Sequence, residues 1–120
     1  MEDPYVRKLM QLLNRYRNLP SVVNETREII DKIRSSLHRG QIYYEIHDRG
    51  THVDVVIEAP GIDPQSVEVF PLDRTVLLVA SGVGDSPDLA VVVRRSELRG
   101  VHGVSHLTYN NGVLTVRFYR

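Results

Sequence analysis

Histidine is the first residue type in this chain with which chemistry could be done: His38, His47, His52, His102 and His106. His47 and His52 flank Asp48-Arg49-Gly50 and could face each other across a tight turn, with Asp48 and Asp54 close by. A metal site needs three or four converging ligands. Two histidines at a hairpin do not supply them, and polar-face histidines on exposed strands account for the pattern. His102 and His106 lie in a turn and strand rather than on one helical face. Ser81, Ser86, Ser96 and Ser105 stand in no Gly-x-Ser-x-Gly elbow, so none is placed as a nucleophile. Asp54 and Glu58 share one face of a strand, where a solvated pair is the simpler reading than an acid/base couple. Gly82-Val83-Gly84 is followed by no Lys-Ser/Thr and no helix, which excludes a phosphate loop. Arg94, Arg95 and Arg99 form the best basic cluster, but without interleaved aromatics they read as surface or edge-strand charge. Cysteine is absent, which excludes disulfides, thiol catalysis and Cys-ligated zinc. No residue set for an enzyme, a metal or a cofactor emerges.

The elements that would position these side chains fall into two halves. Asp3-Pro4 reads as an N-cap with proline at the first helical position. Tyr5, Leu9, Leu12, Leu13 and Tyr16 then recur at helical spacing until Leu19-Pro20-Ser21 breaks the pattern. A second helix follows, capped by Ser21 or Asn24, with Val22, Ile29, Ile30, Ile33 and Leu37 on one stripe. His38 and Arg39 suit its C-terminal end, and Gly40 is a natural residue to stop it. Residues 1–40 therefore read as an amphipathic helix-pair arm.

From Gln41 the period drops to two. Ile42, Tyr44 and Ile46 alternate with polar neighbours, then Val53, Val55 and Ile57 after a Gly50 turn, so a hairpin is expected. Further strands fit 66–70, 75–81, 89–95, 104–109 and 113–118, with Asn111-Gly112 as the strongest turn signal. Residues 75–80 and 89–93 are apolar almost throughout, as strands covered on both faces should be. About seven short strands predict an antiparallel, immunoglobulin-like β-sandwich over residues 41–120.

Charge follows the same seam. Residues 1–40 carry eight Lys/Arg against five Asp/Glu, and residues 41–120 carry seven against ten. Overall 15 basic residues balance 15 acidic ones, so no net field draws nucleic acid or an anionic membrane. The longest apolar runs, such as 76–80, are too short to span a bilayer. Glu2 and Asp3 occupy the place of a signal peptide's positive n-region, so a cytoplasmic protein is expected.

Two stretches carry a family resemblance: VVIEAPGIDPQSVEVFPLDRTVLLVASG from Val55, and VSHLTYNNGVLTVRF from Val104. They resemble the α-crystallin domain of the small heat-shock proteins, over about Tyr43 to Phe118. The specific parts are Ala59-Pro60-Gly61, residues 62–69 and Asn111-Gly112-Val113-Leu114. The resemblance implies an immunoglobulin-like sandwich and an ATP-independent holding chaperone of the stress response. Three departures stand beside it. Leu107 replaces the family's usual Ala, the 82–88 loop is too short to lend a strand to a neighbour, and no Ile-x-Ile-type motif follows the last strand.

The resemblance further implies a groove for an extended apolar peptide, lined by Val67, Val69, Leu107 and Tyr109. Strict alternation places Val104 on the opposite face. Expected partners are unfolded client proteins or a partner chaperone. A homodimer or small homo-oligomer is expected through Leu9, Leu12, Leu13, Tyr16, Ile29, Ile30, Ile33 and Leu37, because such a stripe must be covered by its own sandwich or by a neighbour. The alternative reading is a co-chaperone or adaptor resembling the CS domains, which share the sandwich and bind one folded partner.

Overall fold

A computed structural model describes residues 24–40, 42–72 and 74–120. The first helix expected from the sequence, with Leu9, Leu12, Leu13 and Tyr16, lies outside the described residues. Helix α1 (Asn24–Ser36) leads through a single 3-10 turn (Leu37–Arg39) into seven strands. These are β1 (Tyr44–Asp48), β2 (His52–Glu58), β3 (Glu68–Pro71), β4 (Thr75–Ala80), β5 (Leu89–Arg94), β6 (Gly103–Asn110) and β7 (Val113–Tyr119). They form two antiparallel sheets, one ordered β1-β2-β7-β6 and the other β3-β4-β5. The sandwich expected from the alternating pattern is the observed fold.

Register explains how the core is shared. Val53, Val55 and Ile57 of β2 pair with Phe118, Val116 and Leu114 of β7, and all six are buried. In the other sheet, Val76, Leu78 and Ala80 pair with Val93, Val91 and Leu89. Leu77 and Val79, paired with Val92 and Ala90, point to the opposite face because successive side chains alternate. They are buried as well. Helix α1 packs on β4 and β5 and is their cover, with Ile33 fully buried and Ile29 nearly so. Each such isoleucine contributes about 1.5–3 kcal/mol of gross burial. Its end is tied down by polar contacts. Ser36 Oγ accepts from the Ala90 amide at 2.9 Å, and Ser35 Oγ accepts from the Asp88 amide at 2.9 Å. Arg39 donates to the carbonyls of Pro60, Pro87 and Asp88 at 3.1, 2.6 and 2.9 Å.

Two turns require glycine. Asn111 and Gly112 both have positive φ, 52° and 77°, the signature of a type I′ hairpin. A Cβ on Gly112 would also crowd Pro60 at 3.3 Å. Gly61 sits at φ +76°, where a Cβ would overlap the Ser86 hydroxyl. Its carbonyl accepts from the Val83 amide at 2.7 Å. The Pro60-Gly61 pair and the 82–88 loop are thus one packed unit, closed on its own chain.

Asp54 was expected on a solvated strand face. It is buried instead, because Arg117, its neighbour in register on β7, lies over it with Nε at 2.8 Å and Nη2 at 3.0 Å from the two carboxylate oxygens. The hydrogen bonds from Arg117 hold the Asp54 carboxyl below its ordinary pKa, against a smaller opposing effect of burial. A folded-state pKa below the unfolded one gives stability that is complete above about pH 4 and is lost as pH falls through the folded value. Asp54→Asn should therefore melt below the wild type at pH 7, with the gap closing under acid; a gap independent of pH would show that the charge is not what matters. Gly112→Val should cost about 1 kcal/mol or more, or about 4 °C in thermal melting, through the forced positive φ at a β-branched residue.

Candidate functional site

The histidines do not converge. His47 Nε2 lies 2.8 Å from Glu45, His52 Nε2 lies 4.0 Å from Asp54, and the His102 ring stacks at a tilt on Tyr119, 6.0 Å between centroids. Register sets His47 opposite Asp54 rather than opposite His52. Among the described residues no three His, Asp or Glu side chains are grouped as a metal would need. Asp48 is held at about 2, first by the hydrogen bonds from Arg120 and then by the Gly50 amide. Its contact with Arg120, 2.6 Å from Nη1, joins the β1–β2 turn to the end of β7. That is a structural role.

An open groove of about 580 Å³ lies where the two sheets part, between β3 and β6. Both are edge strands, so a row of backbone groups on each is unpaired by its own sheet. The floor is apolar: Val69 and Pro71 from β3, Val76 from β4, Val104 from β6, and Phe118 from β7. The chain between β5 and β6 closes one end with Leu98, Gly100, Val101 and His102, joined by Gly103 at the start of β6, and sets Arg95 and Arg99 at the rim. Leu98 is buried and anchors that crossing.

Of the four residues expected in the groove, Val69 lines it. Val67, just before β3, and Leu107 and Tyr109, farther along β6, are half-buried and packed against the core. Tyr109 is fixed there by donating its hydroxyl to the Ala59 carbonyl at 2.8 Å. Val104 was expected on the far face and is not there. The pairing of β6 with β7 shifts between Val104 and His106, so that Val104 sits opposite Phe118, in line with Leu107 opposite Val116 and Tyr109 opposite Leu114. This bulge inserts one residue and returns Val104 to the inner face. It remains 38% exposed, so that with Pro71 it presents accessible apolar surface in the groove. Val76, Leu98, Phe118, Arg95 and Arg99 were not foreseen at the site, since their approach depends on how the sheets are stacked.

The association stripe divides. Ile29 and Ile33 are inside this chain's own core, while Ile30 and Leu37 are partly buried against it. Two of the expected contact residues are therefore already covered within the chain. Leu9, Leu12, Leu13 and Tyr16 lie outside the described residues.

Among solved structures, two variants of hsp14.1 from Sulfolobus solfataricus P2 resemble this chain over nearly its whole length. One covers 95% of this chain and 94% of its own, with a TM-score of 0.51 and 15% identity. The other covers 96% and 98%, with a TM-score of 0.50 and 15% identity. Heat shock protein 16.0 from Schizosaccharomyces pombe matches over 65% of this chain and 72% of its own, at a TM-score of 0.49 and 16% identity. No protein-family profile and no curated protein sequence matches the chain. With seven strands in the two sheets described above, the chain has the β-sandwich fold of the small heat-shock proteins.

Proposed function

We propose that this protein is an ATP-independent holding chaperone of the small heat-shock type, acting without a cofactor and without catalysis in the cytoplasm. The observation that carries this reading is the open apolar groove between two edge strands. An extended, non-native segment can lay alternate side chains on Val69, Val104 and Phe118 while its backbone faces the unpaired groups of β3 or β6. Val67, Leu107 and Tyr109 would extend the contact along the same strands. The described residues include no helix long and apolar enough to cross a membrane. Residues 1–40 serve as an arm to the 41–120 sandwich. To Leu9, Leu12, Leu13 and Tyr16 of the arm, together with Ile30 and Leu37, we assign the pairing of copies into a dimer or small oligomer.

A second reading is favoured by the 82–88 loop. Its Asp88 carboxylate accepts from the Gly82 amide at 2.8 Å, and Arg39 holds two of its carbonyls, so the loop is committed to its own chain. An adaptor resembling the CS domains, binding one folded partner, would have such a closed sandwich.

Light scattering from several unrelated heat-denatured clients, without ATP, separates the two. The holding chaperone suppresses aggregation of all of them, and Val104→Glu, which places a charge in the groove at an exposed position, weakens the suppression at unchanged melting temperature. An adaptor suppresses none. The proposed division is tested by expressing residues 41–120. The fragment should melt cooperatively but at a lower temperature than the whole chain, because Leu77, Val79, Ala90 and Val92 lose the cover of α1; absence of a cooperative transition would make α1 part of the sandwich domain.

A further inference from the structure

Two positive charges stand at the rim of the groove, with no carboxylate paired to either among the described residues. Arg95 lies in the 3-10 turn Arg95–Leu98 after β5, and Arg99 is the residue that follows it. Both line the groove, both are exposed, and no ion pair or hydrogen bond engages either guanidinium among the described residues. Two other arginines of the sandwich contrast with them. Arg117 is clamped on Asp54, and Arg120 on Asp48. Arg94 does not line the groove; its charge, like the larger opposing effect of Glu97 in the same turn, is felt by the Tyr44 phenol of β1. Among the described residues no carboxylate lines the groove, although residues 41–120 as a whole carry ten acidic residues against seven basic ones.

From this we infer that the groove selects extended segments that carry a carboxylate beside their apolar residues, and that Arg95 and Arg99 are its specificity-determining pair. The inference rests on the reading of the groove as a peptide site. The division of labour is physical. Val69, Val76, Val104 and Phe118 supply the apolar contact, which is indifferent to sequence beyond size. The guanidiniums supply sign, attracting Asp, Glu or a chain-terminal carboxylate through charge-assisted, two-pronged hydrogen bonds. Lysine-flanked segments are repelled, so the pair discriminates by penalty as well as by attraction. Because the rim is open to water, the effect is screened by salt, whereas the apolar contact is not.

The test uses the full chain and three fluorescent nonapeptides with the same alternating apolar residues, flanked by glutamate, glutamine or lysine. Binding is read by anisotropy at low and high salt. The expected order is glutamate, then glutamine, then lysine, with about three- to tenfold between the first two at low salt. In the R95Q/R99Q variant the order should flatten, with the glutamate peptide losing far more affinity than the glutamine peptide. Both positions are exposed, and a matching melting temperature confirms that the variant is folded. If all three peptides bind alike, or the variant keeps the glutamate preference, the charge inference is overturned while the groove stands as a peptide site. If no peptide binds, the reading of the groove falls and this inference with it.

Discussion

Strands β4 and β5 are apolar on both faces, and the rest of the molecule is arranged around covering them. One face is met by the β1-β2-β7-β6 sheet, whose inward rows of Val53, Val55, Ile57, Leu114 and Val116 are fully buried. A two-layer sandwich has nothing to offer the other face, on which Leu77, Val79, Ala90 and Val92 sit. Leaving four such side chains in water would expose a patch that encourages association. Helix α1 resolves this by laying Ile29 and Ile33 on them, and Lys32 meets Glu68 of β3 at 3.8 Å on the same side. The polar ties at the helix end follow from that docking. Ser35, Ser36 and Arg39 satisfy backbone groups at the start of β5 and in the loop before it, groups that the sheets alone would leave to solvent.

The same architecture accounts for the groove. The three-stranded sheet faces a four-stranded one, and the edge strands on the open side are unequal: β3 has four residues and β6 has eight. The shorter strand ends at Pro71, which has no amide to continue a ladder. Core side chains therefore come close to the surface there. Phe118 is 3% exposed and Val76 6%, yet both form the floor of an opening. A site made in this way is rigid in its floor, because the floor is the core, and adaptable only at its rim.

Much of the fold could be read from the sequence, for a specific physical reason. Alternation with period two survives wherever one face is wet, so β1, β2 and β7 were visible, and unbroken apolar runs marked β4 and β5. The Asn111-Gly112 turn was readable because its backbone conformation admits few other residues. What was not readable depends on neighbours that sequence does not place side by side. Asp54 looked like a solvated strand residue, since nothing local shows that Arg117, 63 positions away, will lie over it. Val104 was assigned to the wrong face because strict alternation was carried through a bulge. A signal did exist: Val104, Leu107 and Tyr109 are spaced by three and then two, and the odd interval is what an inserted residue produces. The basic residues were noticed as a cluster, but that Arg95 and Arg99 line the groove while Arg94 does not depends on the turn after β5.

An open edge beside an apolar floor invites aggregation of the protein with itself, and the edge strands carry features that limit it. On β6, Ser105, His106, Thr108 and Asn110 are all exposed, so the outer surface near that edge is wet. On β3, Glu68 and Pro71 bracket the two apolar residues, and a proline at a strand end prevents a long ladder from forming. Another folded copy, approaching edge to edge, would meet a short strand, a charge and a missing donor. A flexible segment is not so restricted, because it can bend into the groove and place apolar side chains on Val69 and Val104 without a long register of backbone pairing. As a proposed peptide site, a groove so bounded would favour chains that lack a fold of their own over chains that have one, which is the discrimination the proposed holding role requires.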